Sequence, residues 1–412
     1  MNKKMMILLI GGIILGSTMF YFIYNHNKDQ SSDMLDVIKI NDCEDATEWK
    51  RSWGMKINLD NVNYVEGERG IKITADDRGT GYYYEFNEPI DILKHHTECE
   101  VYIYNITNLN RIVISYFDTN LSKQVYLNSR TLYHSLDTGW NRLHLSRANF
   151  VYKDGADHSS WRHVKRIRLS VYANENCTVS VTFDNIHAVP DSIQGSVISL
   201  RFDDSWASYY TEAKTRMDEY GYLGIAATIT GQIQENRTNL LSVSDLREMQ
   251  DSGWDIISHC HNPQGRLDTK NEIERRLELS ESKLWLLENG FGRGAEYIAL
   301  PNHAWDNEII ELVKEYYSGC MAHTGGHETV PPSDPYKIIV MPIQKNTGVD
   351  EVKSWIDDCV ENDSWLILLF HNLVQEPIRY TEYDTEDFQK ILDYINEKNV
   401  RVETMSAILN EN

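Results

Sequence analysis

Two adjacent carboxylates, Asp203 and Asp204, end the run Val197-Ile198-Ser199-Leu200-Arg201-Phe202. The run is built of β-formers, and neighbouring residues at a strand end point in different directions, so the two acids can serve different partners. One can face a metal while the other faces a substrate or a water. Taken alone, an Asp-Asp pair reads as a solvated acidic turn. Imidazoles further along shift that balance. Ser258-His259-Cys260-His261 follows a second strand-like run, and His371 ends another, Trp365-Leu366-Ile367-Leu368-Leu369-Phe370. Carboxylates and imidazoles are metal ligands and proton carriers.

The elements that must position these groups follow from spacing. Strands are predicted over 197–202, 224–230, 254–258, 297–300, 365–370 and 400–404. Helices are predicted over 207–220, 242–252, 271–288, 306–317, 349–361 and 385–398. Gly221 and Gly253 stop two of the helices, and Ser242 caps one. Repeated β-α units imply a parallel sheet with helices outside, open or closed into a barrel. In such folds chemistry gathers at the C-terminal ends of strands. Asp203, Asp204, His259, Pro301-Asn302-His303 and His371 all fall just past predicted strand ends.

The preceding half differs. Residues 37–190 read as all-β, with short runs rich in Val, Ile, Tyr and Phe between Gly, Asn and Asp, the pattern of a β-sandwich or jelly roll. The opening stretch 41–53, the Gly139-Trp140-Asn141 turn and the closing Phe183-Asp184-Asn185-Ile186 resemble jelly-roll carbohydrate-binding modules. That resemblance implies a structural calcium near the first and last strands, with Glu44 and Asp184 as its carboxylates; two ordinary surface acids are the alternative. Tyr82, Tyr83, Tyr84 and Trp161 are candidates for a sugar platform, although alternation puts at least one of the tyrosines in the core. Cys43 and Cys177, near opposite ends of this half, are candidates for a disulfide in an exported protein; buried free thiols are the alternative.

Residues 195–409 resemble the polysaccharide deacetylase family, also called the NodB homology family. The residues that carry the resemblance are Arg201-Phe202-Asp203-Asp204-Ser205, the Ser258-His259 motif after Gly253-Trp254-Asp255-Ile256, Leu368-Leu369-Phe370-His371, and the ending through Val402-Glu403-Thr404-Met405-Ser406. The resemblance implies a deformed (β/α) barrel of fewer than eight strands. It implies a divalent metal, commonly zinc, held by one Asp and two His with an open position, which acidifies water and polarises an acetamide carbonyl. Asp204 and His259 match two of the ligands. Asp203 would be the general base and His371 the general acid. The backbone N–H of Asn302 would hold the oxyanion, with His303 beside it in the pocket.

Two positions depart from the family pattern. The second ligand histidine would fall at Pro263, which cannot bind metal. His261, in the same loop, is the substitute expected here, with Asn262 or a water as the fallback. The usual Arg two residues before Pro301 is Ala299, so the partner of the base is missing from its expected place. His323 and His327, in a Gly-rich loop, either reach the site or lie in solvent.

Ahead of both regions, Lys3 and Lys4 precede an apolar run of about 20 residues, the length of a bilayer span. A transmembrane anchor over 1–25 and a tether over 26–36 are expected, with a cleaved signal peptide as the rival. Charge flanks then place the remainder outside the cell, in a single-pass cell-membrane protein. The 412 residues accommodate two domains, 37–190 and 195–412. A formal net charge of −22 argues against nucleic acid as a partner, and 24 Tyr with 10 Trp favour carbohydrate. The expected function is metal-dependent hydrolysis of acetyl groups, N-acetyl above all, from an extracellular or cell-envelope polysaccharide. The alternative is a degenerate deacetylase fold that binds surface glycans.

Overall fold

The first half of the chain pairs antiparallel throughout. Its strands are β1 (Ile38–Asn41), β2 (Lys50–Trp53), β3 (Asn58–Asp60), β4 (Gly70–Ala75), β5 (Thr80–Ile90), β6 (His95–Ile103), β7 (Leu109–Asp118), β8 (Gln124–Leu127), β9 (Gly139–Leu145), β10 (Phe150–Lys153), β11 (Val164–Ala173) and β12 (Val179–Pro190). They form two six-stranded sheets, one ordered β3-β4-β12-β6-β9 with β1 also on β12, the other β10-β8-β7-β11-β5-β2. Period-two alternation buries Ile71, Ile73, Val101, Ile103, Val181 and Phe183 from one sheet. These meet Ile112, Ile114, Tyr116, Ile167, Leu169 and Val171 from the other in a single core. The computed structural model describes residues 36–121, 124–127, 136–191, 195–234, 239–262 and 266–410.

The second half is parallel. Its strands β13 (Val197–Asp203), β14 (Gly224–Thr228), β15 (Asp255–Ser258), β16 (Tyr297–Ala299), β17 (Gly319–Thr324), β18 (Ile338–Pro342) and β19 (Trp365–Phe370) pair in chain order. β13 pairs with both β14 and β19, which closes a seven-stranded barrel, and Arg401–Val402 adds a short strand against β13. Alternation along β13 sends Ile198, Leu200 and Phe202 outward, where Phe202 packs on Tyr209, Trp254, Phe370 and Phe388. Val197 turns inward with Ile225, Ala227, Ile257, Ala299, Met321, Val340, Ile367 and Leu369. Ser199, Arg201 and Asp203 share that inward face. The outer helices start at side-chain caps: Ser242 with Asp245 for Val243–Asp251, and Asn271 with Glu274 for Glu272–Glu288.

β17 and β18 went unrecognised in the sequence. They are joined by loop rather than helix, and Gly319-Cys320-Met321-Ala322-His323-Thr324 carries no run of β-branched residues.

Four expectations are corrected. The transmembrane helix is not found: among the described residues no helix is long and apolar enough to cross a membrane, and segment 1–25 lies outside them. Cys43 and Cys177 form no disulfide; all six cysteines are free, five of them buried. Trp161 is fully buried against Tyr116 and Phe150, so it cannot present a face to a sugar. Tyr82 is the tyrosine of the trio that alternation turns into the core, its hydroxyl donating to the Met55 carbonyl. His323 and His327 are buried rather than in solvent.

The barrel packs on the sandwich through specific bonds. Buried Arg147 donates to the carbonyls of His95 (2.6 Å) and Asn362 (3.1 Å). Asn149 and His327 exchange a reciprocal pair, side-chain amide to carbonyl and backbone N–H to Oδ1, each 2.8 Å.

Candidate active site at the barrel mouth

Residues 203 to 205 leave β13 in a sharp turn. Asp204 (φ 80°) and Ser205 (φ 62°) both adopt the left-handed conformation that side chains disfavour. Ser205 holds the turn: its Oγ accepts from Ile229 N at 2.8 Å, and its carbonyl accepts from Leu241 N at 2.9 Å. The result is two carboxylates with different surroundings, Asp203 buried in the barrel and Asp204 partly open to the mouth. Ser208 ties this turn to the loop after β19, donating from Oγ to Asn372 Oδ1 (2.9 Å) and accepting from Leu373 N (3.1 Å). That loop begins with His371.

Asp203 has a partner that sequence reasoning missed. Arg201, fully buried, donates from Nε to Oδ1 (2.7 Å) and from Nη2 to Oδ2 (2.5 Å). Burial alone would raise the Asp203 carboxyl, but Arg201, with His259 and His371, outweighs it and holds the group down at about 2. Asp203 is therefore ionised across the neutral range. The signal was present in the sequence: residues i and i+2 of a strand share a face, so an Arg two before the Asp lies beside it.

His259 follows β15 and points inward. Its Nδ1 donates to the Ala299 carbonyl at 2.8 Å, which aims Nε2 at the carboxylates, 3.6 Å from Asp204 Oδ1 and 3.8 Å from Asp203 Oδ2. A carbonyl on the far nitrogen is how metal-ligating histidines are oriented. Burial lowers the proton affinity of this imidazole, and the two carboxylates more than restore it. For Asp204, burial acts upward and the His259 contact wins, lowering its carboxyl.

His261 goes elsewhere. Cys260 is left-handed (φ 64°), and the chain turns so that His261 Nδ1 meets Thr230 Oγ1 at 3.0 Å and Nε2 faces Glu281 at 3.7 Å. It is not brought to Asp204 and His259. Asn262 does line the cavity. Its backbone N–H and side-chain NH2 are both committed to Glu278 (2.8 and 3.2 Å), which leaves Oδ1 as its acceptor. Pro263 lies outside the described residues.

Pro301, Asn302 and His303 form the opposite wall. Asn302 (φ 55°) and His303 (φ 51°) are left-handed, a costly backbone of the kind found at functional turns. The amides of His303 and Ala304 bond the carbonyls of Leu300 and Pro301. Among the described residues the amide of Asn302 makes no such bond. His303 is half-buried, and this loss of solvent, with Arg201 nearby, depresses its imidazole to about 3 and keeps it neutral. Burial also lowers His371, against the pull of Asp203 and Asp204.

Asp203, Asp204, His259, Asn262, Asn302, His303 and His371 line one cavity of about 390 Å³. A second cavity, about 570 Å³, shares Asn302, His303 and Thr324 with it and continues past Trp305, His323 and Arg266. His323 packs edge-on against Trp305, with 4.8 Å between ring centroids.

Glu44 and Asp184 lie in the sandwich, each held by one loop. Asp184 Oδ2 accepts from Val65 N (2.6 Å) and Glu66 N (3.1 Å), and Glu44 Oε1 accepts from Glu68 N (2.8 Å) and Arg69 N (3.1 Å). Of these carboxylate oxygens, Asp184 Oδ1 is buried without a hydrogen bond.

Several solved structures are similar to the chain. One is the Xyl-CE4 domain of a multidomain xylanase from the hindgut metagenome of Trinervitermes trinervoides, at 15% identity over 53% of this chain and 91% of that one, TM-score 0.38. Another is the Streptococcus pyogenes deacetylase PplD in complex with acetate, at 19% over 35% and 64%, TM-score 0.30. A third, BA3943 from Bacillus anthracis, is described as a CE4 family pseudoenzyme, at 11% over 53% and 67%, TM-score 0.37. No curated protein matches the chain. The polysaccharide deacetylase family model matches residues 191–317, the stretch that holds Asp203, Asp204, His259 and Asn302, and this part of the chain is a polysaccharide deacetylase domain, of a hydrolase family.

Proposed function

We propose that the chain hydrolyses acetyl groups, N-acetyl by preference, from an acetylated extracellular or cell-envelope polysaccharide, with a divalent metal held at the barrel mouth. The observation that carries this reading is the set Arg201–Asp203, Asp204–His259 and His371 around one open cavity. Asp204 and His259 would hold the metal, and Asn262 Oδ1 is a further oxygen donor on the cavity wall. The donor set fits a divalent ion with two strong ligands, because His259 is pre-oriented by Ala299. When bound, such a metal supplies Lewis-acid polarisation of the acetamide carbonyl and acidifies water.

The chain's own groups do the rest. Asp203, kept ionised by Arg201, accepts the proton of the attacking water. The Asn302 N–H receives the oxygen that becomes negative as the carbonyl carbon turns tetrahedral. His371 donates a proton to the leaving amine; burial holds its imidazole toward the neutral form, and the two carboxylates across the cavity oppose that with a smaller pull toward the charged form. The adjoining cavity, walled by Trp305, gives a neighbouring sugar an aromatic face.

A second reading, a glycan-binding protein on an enzyme fold, is favoured by one observation, the turn of His261 away from the mouth. Acetate release from acetylated glycans by the metal-loaded chain, beside Asp203→Asn, separates the two. Release by the wild type that is abolished in the variant supports hydrolysis. Glycan binding without any release, at any divalent metal supplied, sinks it.

A further inference from the structure

A second group of ligating atoms lies outside the barrel. His96 and Glu98 are two residues apart on β6, and His144 sits on β9 directly opposite Glu98. All three therefore share one face of the sheet, while Cys99, Leu143 and Leu145 between them turn into the sandwich core. The outward face would normally be wet. Here the barrel covers it: Ser333 Oγ accepts from His144 N at 3.4 Å, the Pro331 carbonyl approaches the His144 ring, and Arg147 reaches Asn362. The side chains of His96 and His144 are 3% and 9% exposed.

The atoms converge. His96 Nε2 lies 3.2 Å and His144 Nε2 3.4 Å from the same oxygen, Glu98 Oε1, and the three ligand atoms lie within 4.8 Å of one another. A tetrahedral zinc with bonds of about 2.0–2.1 Å has ligand–ligand edges of about 3.3 Å. The second nitrogen of His96 is already assigned: Nδ1 faces Asp191 Oδ1 at 3.5 Å, and Arg147 fixes Asp191 through Oδ2 at 2.5 Å. A carboxylate behind an imidazole is the usual outer support of a metal ligand. An imidazolium at His96 bridging Asp191 and Glu98 would account for two of the three groups. It leaves His144 Nε2 buried, aimed at the same oxygen, and without a hydrogen bond.

We propose that His96, Glu98 and His144 bind a divalent transition-metal ion, zinc by ligand type, at the junction of sandwich and barrel and separate from the barrel mouth. Two imidazoles and one carboxylate suit zinc, which closes its fourth position with a water. Buried under barrel loops, this ion would stabilise the folded chain by mass action rather than meet substrate.

The test is zinc content of the purified full chain after chelator stripping, zinc addition and gel filtration, for wild type, Glu98→Gln, His144→Gln and Asp204→Ala. The expected result is a loss of one zinc per chain in Glu98→Gln and in His144→Gln, with this zinc retained in Asp204→Ala. A zinc-dependent rise in Tm should vanish with the same two substitutions. Should His144→Gln fail to fold, Glu98→Gln decides alone. Zinc-edge anomalous diffraction from zinc-soaked crystals gives a direct answer. A peak between the three side chains supports the site. Unchanged zinc content in Glu98→Gln, or no peak there, overturns it, whatever the barrel mouth does.

Discussion

The barrel mouth and the sandwich–barrel junction hold the same kinds of side chain, imidazoles and carboxylates a few ångströms apart, and differ in what surrounds them. At the mouth, Asp204, Asn302 and His303 sit on left-handed turns just past parallel strands and line an open cavity. At the junction, His96, Glu98 and His144 sit in regular register on two antiparallel strands and are closed over by barrel loops. Irregular backbone at strand ends leaves room for a substrate to approach the donors. Regular strands covered by a second domain leave none, so the same donors there serve cohesion. Ligand type alone does not separate the two roles; access does.

The largest test of this contrast is Asp204→Ala, which should lower kcat/KM for acetate release by roughly 100- to 10,000-fold while urea midpoints stay close to wild type. A collapse of stability of the same order would make Asp204 a structural residue like those at the junction.

Arg201→Met should be the next largest. It leaves Asp203 buried without its counter-charge, at a cost on the order of 3 kcal/mol. In the wild type the Asp203 carboxyl is depressed to about 2, so its contribution to stability is present above the ordinary carboxylate range and lost as pH falls through about 2. The acid limb of stability, followed by urea unfolding between roughly pH 2 and 7, should move upward in the variant. An unmoved limb would break the assignment of Arg201 as the partner of the base.

Glu328 lies in the loop that covers the junction, fully buried, its Oε1 accepting from Ile339 N at 2.7 Å. Burial pushes its carboxyl up to about 8. A raised folded value means that its stabilisation is complete below the ordinary carboxylate range and is lost as pH rises through about 8. Glu328→Gln should therefore be more stable than wild type above that pH, by on the order of a few kcal/mol, and should show a flatter profile between pH 5 and 9. Parallel profiles for the two proteins would contradict the buried acid.

The smallest effect is expected from His261→Ala. The lost Thr230 contact is worth about 1 kcal/mol or less, and metal retained at the mouth should not change. A metal content that falls as far as in Asp204→Ala would show that the loop after Cys260 turns back toward the cavity when metal binds.

Much of the mouth was readable from the chain. Asp203, Asp204, His259, Asn302, His303 and His371 were named from strand ends and motif spacing, and the structure lines one cavity with them. Local pattern failed in three places, each for a physical reason. Closeness in sequence points to His261 as a ligand, but one left-handed residue, Cys260, redirects the chain. Trp161 reads as a candidate surface ring because ring type says nothing about burial. β17 and β18 escaped because their connection is not helical and breaks the β-α rhythm.

The sequence by itself determined what depends on near neighbours: the alternation that puts Arg201 beside Asp203, the caps at Ser242 and Asn271, and the switch from antiparallel spacing to alternating strands and helices. These follow from backbone geometry over a few residues. The tertiary structure alone decided which distant residues meet. Closure of β19 on β13 brings His371 to the two aspartates, and pairing of β9 with β6, under loops of the barrel, brings His144 to Glu98. No local rule encodes those meetings, because they depend on sheet order and on which faces become buried against one another.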